Sequence, residues 1–193
     1  MKRICVFAGS DTGRQKDYQL SAKLLAKEIV KRDLELVYGG AKVGLMGVIA
    51  DAVLESGGTV IGVIPEGLTQ KEIVHDRLSE LQVVSSMHER KAKMAELASG
   101  FITLPGGIGT LEETCEMLTW AQLGIHKKPC GLLNVGGYYD CLIAFLDNMV
   151  EQNFFSLVHR SLLIVKDDPE QLLDSFENYQ APDFKRWMKL SES

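Results

Sequence analysis

Short, unbroken apolar runs alternate with longer segments in which apolar residues recur every three or four positions, along most of the chain. The first run, Ile4-Cys5-Val6-Phe7-Ala8, lies in a strand predicted over 3–8. A run with no polar alternation reads as a strand covered on both faces, as in a parallel sheet. Residues 18–30 then place Leu20, Leu24, Leu25 and Ile29 at helical spacing, with Lys27 as an exception. The same reading predicts strands over 34–38, 59–64, 81–84, 101–104 and 130–135, and an edge strand over 162–165. It predicts helices over 45–54, 87–98, 114–123, 139–150 and 169–179, and a short helix over 184–190 docked by Trp187. Strands and helices in strict alternation predict an α/β fold: a single-domain, doubly wound (Rossmann-like) parallel sheet with helices on both faces. The domain is expected to span 1–193, with a short helical tail from about 182–193, and no linker, repeat or low-complexity tract divides it.

In such folds ligands bind beyond the carboxyl ends of the strands. This chain places glycines there. Gly9, followed by Ser10, ends the first strand, Gly39 and Gly40 end the second, and Gly106, Gly107 and Gly109 follow the fifth. One such cluster reads as a tight turn that needs positive φ; three on one edge read as a ligand crevice. The third cluster leads from a strand into a helix, whose first N–H groups and partial positive charge suit a phosphate. Gly107-Ile108-Gly109 misses the dinucleotide fingerprint, because Glu112 stands where its third glycine belongs. Gly39 and Gly44 have P-loop spacing, but Leu45-Met46 replaces the lysine and hydroxyl residue. NAD binding and a Walker-type NTPase are therefore not expected.

Glu112 and Glu113 fall in the expected first turn of that helix. As an isolated pair they read as acids favoured by the helix dipole. Beside a phosphate a carboxylate is repelled, so one of them must serve another group, such as an oxocarbenium ion developing at an anomeric carbon. Upstream, Ser86 and Glu89 have the spacing of a capping box, which makes Glu89 structural. Arg90 and Lys91 follow near that helix N-terminus, where cations are mildly unfavourable without an anionic partner. Arg90 shares a predicted inward stripe with Met87, Met94 and Leu97. Its partner is either a buried carboxylate or a ligand phosphate or carboxylate, which arginine binds in bidentate fashion. The polar segment 67–77, with Glu72, His75 and Asp76, reads as a cover over the site or as a surface loop. His126-Lys127-Lys128 reads as a solvated loop.

Composition narrows the function classes. A net charge of −5 argues against nucleic-acid binding. The four cysteines form no CxxC pair and the four histidines are dispersed, so no metal site is expected. Cys5, Cys115 and Cys141 sit in apolar contexts and read as buried, reduced thiols. No signal peptide and no run of membrane-spanning length is seen, so a cytoplasmic protein with no membrane partner is expected.

Pro105-Gly106-Gly107-Ile108-Gly109-Thr110-Leu111-Glu112-Glu113 fits the pattern P-G-G-x-G-T-x-x-E, and on it the chain resembles the Lonely Guy (LOG) family of cytokinin riboside 5′-monophosphate phosphoribohydrolases. Relatives in this family carry an older "lysine decarboxylase-like" label. The resemblance covers most of the chain. It includes Val6-Phe7-Ala8-Gly9-Ser10, Tyr38-Gly39-Gly40, Val43-Gly44-Leu45-Met46-Gly47 and Met87-His88-Glu89-Arg90-Lys91. It continues through Thr119-Trp120-Ala121-Gln122-Leu123-Gly124 and Gly131-Leu132-Leu133-Asn134. It implies hydrolysis of the N-glycosidic bond of a cytokinin or adenine nucleoside 5′-monophosphate, releasing base and ribose 5-phosphate.

The family's essential arginine and glutamate fall on Arg90 and Glu113. Substrate contacts fall on Glu72, Lys91, Gly107, Ile108, Gly109, Thr110, Leu111, Glu112 and Thr119, and the matched motifs add Gly9, Ser10, Gly39, Gly40, Met46, Met87 and Gly106. The expected mechanism has the N–H groups of Gly107 to Thr110 holding the 5′-phosphate. Glu113, ionised by its helix position, stabilises the ribosyl cation directly or as a covalent intermediate, while Arg90 orients the phosphate or Glu113. No cofactor is implied, and no lysine stands in a Schiff-base context. The resemblance also implies a homodimer, with the helix around Trp120 near its interface. Asp11 departs from the family, where a serine is common, and this bears on substrate preference. Two other readings of the same residues are a non-catalytic nucleotide or cofactor carrier and a ribosyl-transferring enzyme.

Overall fold

The computed structural model describes residues 1–69 and 74–182. Seven strands, β1 (Arg3–Phe7), β2 (Glu35–Tyr38), β3 (Val60–Pro65), β4 (Glu80–Val84), β5 (Gly100–Thr103), β6 (Cys130–Leu133) and β7 (Leu163–Lys166), form one sheet in the order β4-β3-β2-β1-β5-β6-β7. Every pairing is parallel. The helices are α1 (Lys16–Lys31), α2 (Gly44–Glu55), α3 (Glu66–Thr69), α4 (Met87–Leu97), α5 (Ile108–Gln122), α6 (Asp140–Glu151), α7 (Leu157–Arg160) and α8 (Pro169–Glu177), with a 3₁₀ turn at Val135–Gly137.

Successive strand residues point to opposite faces, so β1 supplies both halves of the core. Ile4 and Val6 join Leu25 and Ile29 of α1, Ile49 of α2 and Leu172 of α8 on one face. Cys5 and Phe7 join Met94 of α4, Met117 of α5 and the apolar side of α6 on the other. Coverage on both faces is what the unbroken apolar runs require. The strand order reverses between β1 and β5, and the crevice opens at their carboxyl ends. There the two loops meet backbone to backbone. Gly9 N donates to Pro105 O at 3.1 Å, and a Cβ on Gly106 would stand 2.9 Å from Gly9 N. Neither position has room for a side chain, which is the physical reason for glycine at both.

The structure corrects several expectations. α5 begins at Ile108, not near 114, because the open crevice leaves the backbone around Gly107 and Gly109 unobstructed, and tertiary packing overrides glycine's poor helix propensity. Glu112 and Glu113 consequently lie in its second turn. α3, α7 and the 3₁₀ turn were not foreseen, since one turn of helix is too short to show a period. Cys5 and Cys130 are buried, but Cys115 and Cys141 are exposed on α5 and α6. The 126–128 segment is not simply solvated. Half-buried His126 pairs through Nε2 with Met117 O at 3.0 Å, and Lys128 Nζ donates to Ala95 O at 2.6 Å, tying α5 and α4 to the start of β6. Glu72, and the tail expected over 182–193 with Trp187, lie outside the described residues, apart from residue 182. No helix among the described residues is long and apolar enough to cross a membrane.

Leu25 is fully buried between α1 and the sheet, so Leu25→Ala is expected to cost about 2–5 kcal/mol in urea unfolding. A cost under about 1 kcal/mol would mean that this face is not close-packed.

Candidate active site

Arg90 occupies the fourth position of α4, whose N-terminus is set by Ser86: its Oγ accepts from Glu89 N at 3.1 Å. The expected reciprocal bond closes one residue earlier than the capping box predicts. The Glu89 carboxylate accepts from Ser85 N and Ser85 Oγ at 2.7 and 2.5 Å, which holds its pKa below the usual value. Capping turns Arg90 inward, together with Met94 and the half-buried Leu97; Met87, expected on the same stripe, is instead 45% exposed. A residue in the first turn has no preceding turn to lie against.

The Arg90 guanidinium lies across the carboxyl ends of β3 and β2. Nε donates to Val63 O at 3.1 Å and Nη1 to Glu113 Oε1 at 3.0 Å. The pair is largely out of water, with 11% and 12% of the two side chains exposed. A Cβ on Gly39 would collide with Arg90 Nη2, so glycine at this position is the space in which the guanidinium sits. Met46 Sδ closes the same space, 3.3 Å from that Cβ position. Of the two partners the sequence leaves open for Arg90, a buried carboxylate and a ligand anion, the structure shows the first, and that carboxylate is Glu113.

Burial raises the Glu113 pKa, Arg90 opposes the rise, Glu112 adds to it and Lys91 offsets it. The expectation that helix position alone keeps Glu113 ionised is thus corrected. In the second turn the dipole has weakened, and Arg90 is the counterion. Lys91 pairs with the carboxylates of Glu112 and Glu116, at 3.1 Å for the latter. Both pairings favour its charged form and raise its pKa, the Glu112 bond most.

Below the Gly9–Gly106 contact lies a cavity of about 200 Å³. Of the predicted residues it is lined by Gly9, Ser10, Gly106 and Gly107; Asp11, which the sequence links to substrate preference, lines it too, as do Tyr18 and Tyr138, which the sequence does not mark. At its edge α5 starts on Gly107 with no side-chain cap, and α1 and α2 likewise start uncapped after the other two glycine loops. By contrast, Ser86, Ser156 and Asp168 cap α4, α7 and α8. In α2 backbone meets the first N–H groups instead, Leu45 N and Met46 N donating to Gly9 O at 3.0 and 3.4 Å, whereas an uncapped start such as that of α5 leaves its first N–H groups to water or a ligand. The Thr114 hydroxyl donates to Thr110 O at 2.6 Å and pairs with Thr103 Oγ1 at 2.8 Å, docking the first turns of α5 on β5.

The other predicted positions are spread around this centre. Thr110 is buried against Gly106, Leu111 packs into the core beneath, and Ile108 is 82% exposed beside the open Gly109. Gly40 is at φ 78°, and its carbonyl accepts from His75 N at 2.9 Å. His75 and Arg77 both reach Asp51 of α2, which anchors the end of the 67–77 segment. Thr119 is exposed, three turns along α5, and its hydroxyl donates to Cys115 O; the structure does not bring it to the cavity. Tyr138 had a legible signal. Gly136-Gly137 after the sixth strand repeats the glycine signature of the other loops, and both residues have positive φ.

A family profile described as "Possible lysine decarboxylase" matches residues 46–176. A protein of Oryza sativa subsp. japonica named probable cytokinin riboside 5′-monophosphate phosphoribohydrolase LOGL6 is 51% identical over 178 residues, 92% of this chain and 71% of the relative. The Arabidopsis thaliana cytokinin riboside 5′-monophosphate phosphoribohydrolase LOG7 is 49% identical over 95% of this chain and 84% of its own length. Among solved structures, the molybdenum cofactor carrier protein of Chlamydomonas reinhardtii superimposes with a TM-score of 0.69 at 22% identity, covering 92% of this chain and 96% of that one. At that identity the likeness shows the fold alone.

Gly39→Ala is expected to destabilise by about 1–3 kcal/mol in urea unfolding. If the clash is with Arg90, the same substitution made in Arg90→Ala costs at least about 0.5 kcal/mol less. Equal costs in both backgrounds would place the strain elsewhere.

Proposed function

Because the chain belongs to the Lonely Guy (LOG) family, that of the phosphoribohydrolases it matches, we propose that it hydrolyses the N-glycosidic bond of a nucleoside 5′-monophosphate, of a cytokinin riboside or of adenosine, to free base and ribose 5-phosphate. The observation that carries this reading is the Arg90–Glu113 pair, 3.0 Å apart and largely desolvated, six residues along α5 from an uncapped N-terminus. Six residues of helix rise about 9 Å, which suits a ribose with its phosphate at one end and its anomeric carbon at the other.

The phosphate meets the N–H groups of Gly107 to Thr110, where the partial positive charge of α5 also favours it. As the C1′–N bond breaks, positive charge develops on the ribose. The Glu113 carboxylate stabilises it in a site where low dielectric strengthens the interaction. Water adds to C1′, and the base leaves with a proton. Arg90 keeps Glu113 ionised and oriented despite its burial. Lysine chemistry fits the site poorly. Lys91 is held charged by two carboxylates, while Lys128, whose pKa burial lowers, lies at the amino ends of the strands. A Schiff-base lysine needs a lowered pKa at the ligand edge.

The family's homodimer also fits this chain. α6 has no fully buried residue, and Leu123, Ile125 and Phe145 are 64%, 63% and 59% exposed around the ends of α5 and on α6, beside partly buried Trp120. An apolar face of this kind suits a second copy. Buried Cys5 and Cys130, with pKa values pushed up by burial (Cys130 to about 12), suit the reducing cytoplasm.

Product chromatography after incubation with isopentenyladenosine 5′-monophosphate and with AMP tests the activity. Free base and ribose 5-phosphate are expected, with kcat/KM reduced by about 10²–10³ or more in a folded Glu113→Gln variant. Nucleotide bound with no base released would favour a carrier, and base exchange without ribose 5-phosphate would favour a transferase. Since Glu113 acts ionised and burial raises its pKa, the acid limb of the kcat/KM profile is expected above 4.5, the ordinary glutamate value. A limb at or below it would remove Glu113 from the rate-limiting chemistry. Sedimentation equilibrium is expected to show a dimer that Phe145→Asp converts to monomer; a monomeric wild type would end the dimer reading.

A further inference from the structure

The turn from β6 to α6 is braced beyond what a connection requires. Asn134 Nδ2 donates to Asp140 Oδ1, and Asn134 Oδ1 accepts from Tyr139 N, both at 2.7 Å. Gly136 and Gly137 carry the chain around at φ 57° and 73°. The result is that two successive tyrosines reach back to the β5–α5 loop on either side of Pro105. Tyr139 Oη donates to Leu104 O and Tyr138 Oη donates to Gly106 O, each at 2.7 Å.

The two tyrosines differ in setting. Tyr139 is 3% exposed and belongs to the core. Tyr138 is 43% exposed, lines the cavity with Gly106 and Gly107, and rests its ring edge-on against Tyr18 at 5.5 Å. A hydroxyl serving stability alone has no need of a ring standing in the ligand cavity. Its acceptor is informative too. Gly106 O and Gly107 N belong to one planar trans peptide and point in opposite directions, so holding the carbonyl sets the direction of the N–H. Consecutive glycines leave this peptide freer than one flanked by side chains, and an anion-binding loop needs that freedom removed before the ligand arrives.

We infer that Tyr138 is a positioning residue for the 5′-phosphate: its hydroxyl fixes the Gly106–Gly107 peptide so that the Gly107 N–H and the open first turn of α5 face the phosphate. The inference rests on the phosphoribohydrolase reading for the identity of the anion. Tyr139 holds the preceding strand end and has a structural role.

Calorimetric titration of the full chain with ribose 5-phosphate and with adenosine, which lacks the phosphate, tests it without requiring turnover. Tyr138→Phe is expected to weaken ribose 5-phosphate by about tenfold, the loss of one hydrogen bond's worth of positioning, with adenosine within about twofold of wild type and the melting temperature unchanged. In turnover the loss is expected in KM rather than kcat, as for binding energy expressed equally in ground and transition states. Tyr139→Phe is expected to lower the melting temperature and leave the ratio of the two affinities unchanged. Unchanged ribose 5-phosphate affinity in Tyr138→Phe, or equal weakening of both ligands, overturns the inference. Failure of the wild type to bind ribose 5-phosphate overturns it together with the phosphate reading of the loop. Selective weakening in a protein that releases no base from nucleotides would leave the inference standing and remove the hydrolase.

Discussion

Taking a guanidinium and a carboxylate out of water costs roughly several kcal/mol per ion before they attract each other, and the pair is tolerable only with good geometry and further hydrogen bonds. The edge of this sheet is arranged around that requirement. Val63 supplies a carbonyl to Arg90 Nε, and Glu113 takes Nη1. Gly39 is side-chain-free where the guanidinium lies, and Met46 closes over it. None of these groups is near another in sequence. They meet because parallel pairing brings β3, β2, β1 and β5 side by side with all their carboxyl ends on one edge. A buried ion pair is weak evidence of stability, since apolar residues of the same shape would serve as well. Its place at the ligand edge of a doubly wound sheet is what points to chemistry.

The second constraint is the supply of unpaired N–H groups. Serine or aspartate caps α4, which aims Arg90, and also α7 and α8. The helices α1, α2, α5 and α6 have no side-chain cap, and in α2 Leu45 N and Met46 N donate to Gly9 O instead. Where the β1 and β5 loops meet, α5 starts with no side-chain cap, and the shape of that edge is set by backbone and depends on what holds the loops still. The Gly9–Pro105 hydrogen bond and the two tyrosine hydroxyls do that from opposite sides. Asp11 lines the same cavity. A carboxylate accepts from hydroxyl or N–H donors and repels anions, so Asp11 gives this cavity an acceptor.

How far the chain could be read beforehand follows from the range of each signal. Apolar runs and helical periodicity are local, and apart from the start of α5 they located the seven strands and the longer helices to within a few residues. The same glycine pattern that marked the crevice also hid the start of α5, because in isolation glycine argues against helix. Single-turn elements such as α3 and α7 have no period to show. Exposed Cys115 and Cys141, and half-buried His126 and Lys128, were misread because neighbours in sequence are poor guides to neighbours across a sheet.

Pattern along the chain was enough for the architecture and for three glycine loops on one edge, and the resemblance it carries was enough for the family and for Arg90 and Glu113 as the residues on which chemistry is proposed. These follow from short-range pattern and residue type. Only the tertiary structure decided that Arg90 and Glu113 are each other's partners, that Gly39 is the space between β2 and the guanidinium, and that Glu113 is held by a counterion rather than by its helix. It also decided that Thr119 stands apart from the cavity and that the Tyr138 hydroxyl holds the Gly106 carbonyl. Each is a distance between residues brought together by parallel crossovers and loop packing, and a distance of that kind is fixed by the packing of whole elements, which no local pattern encodes.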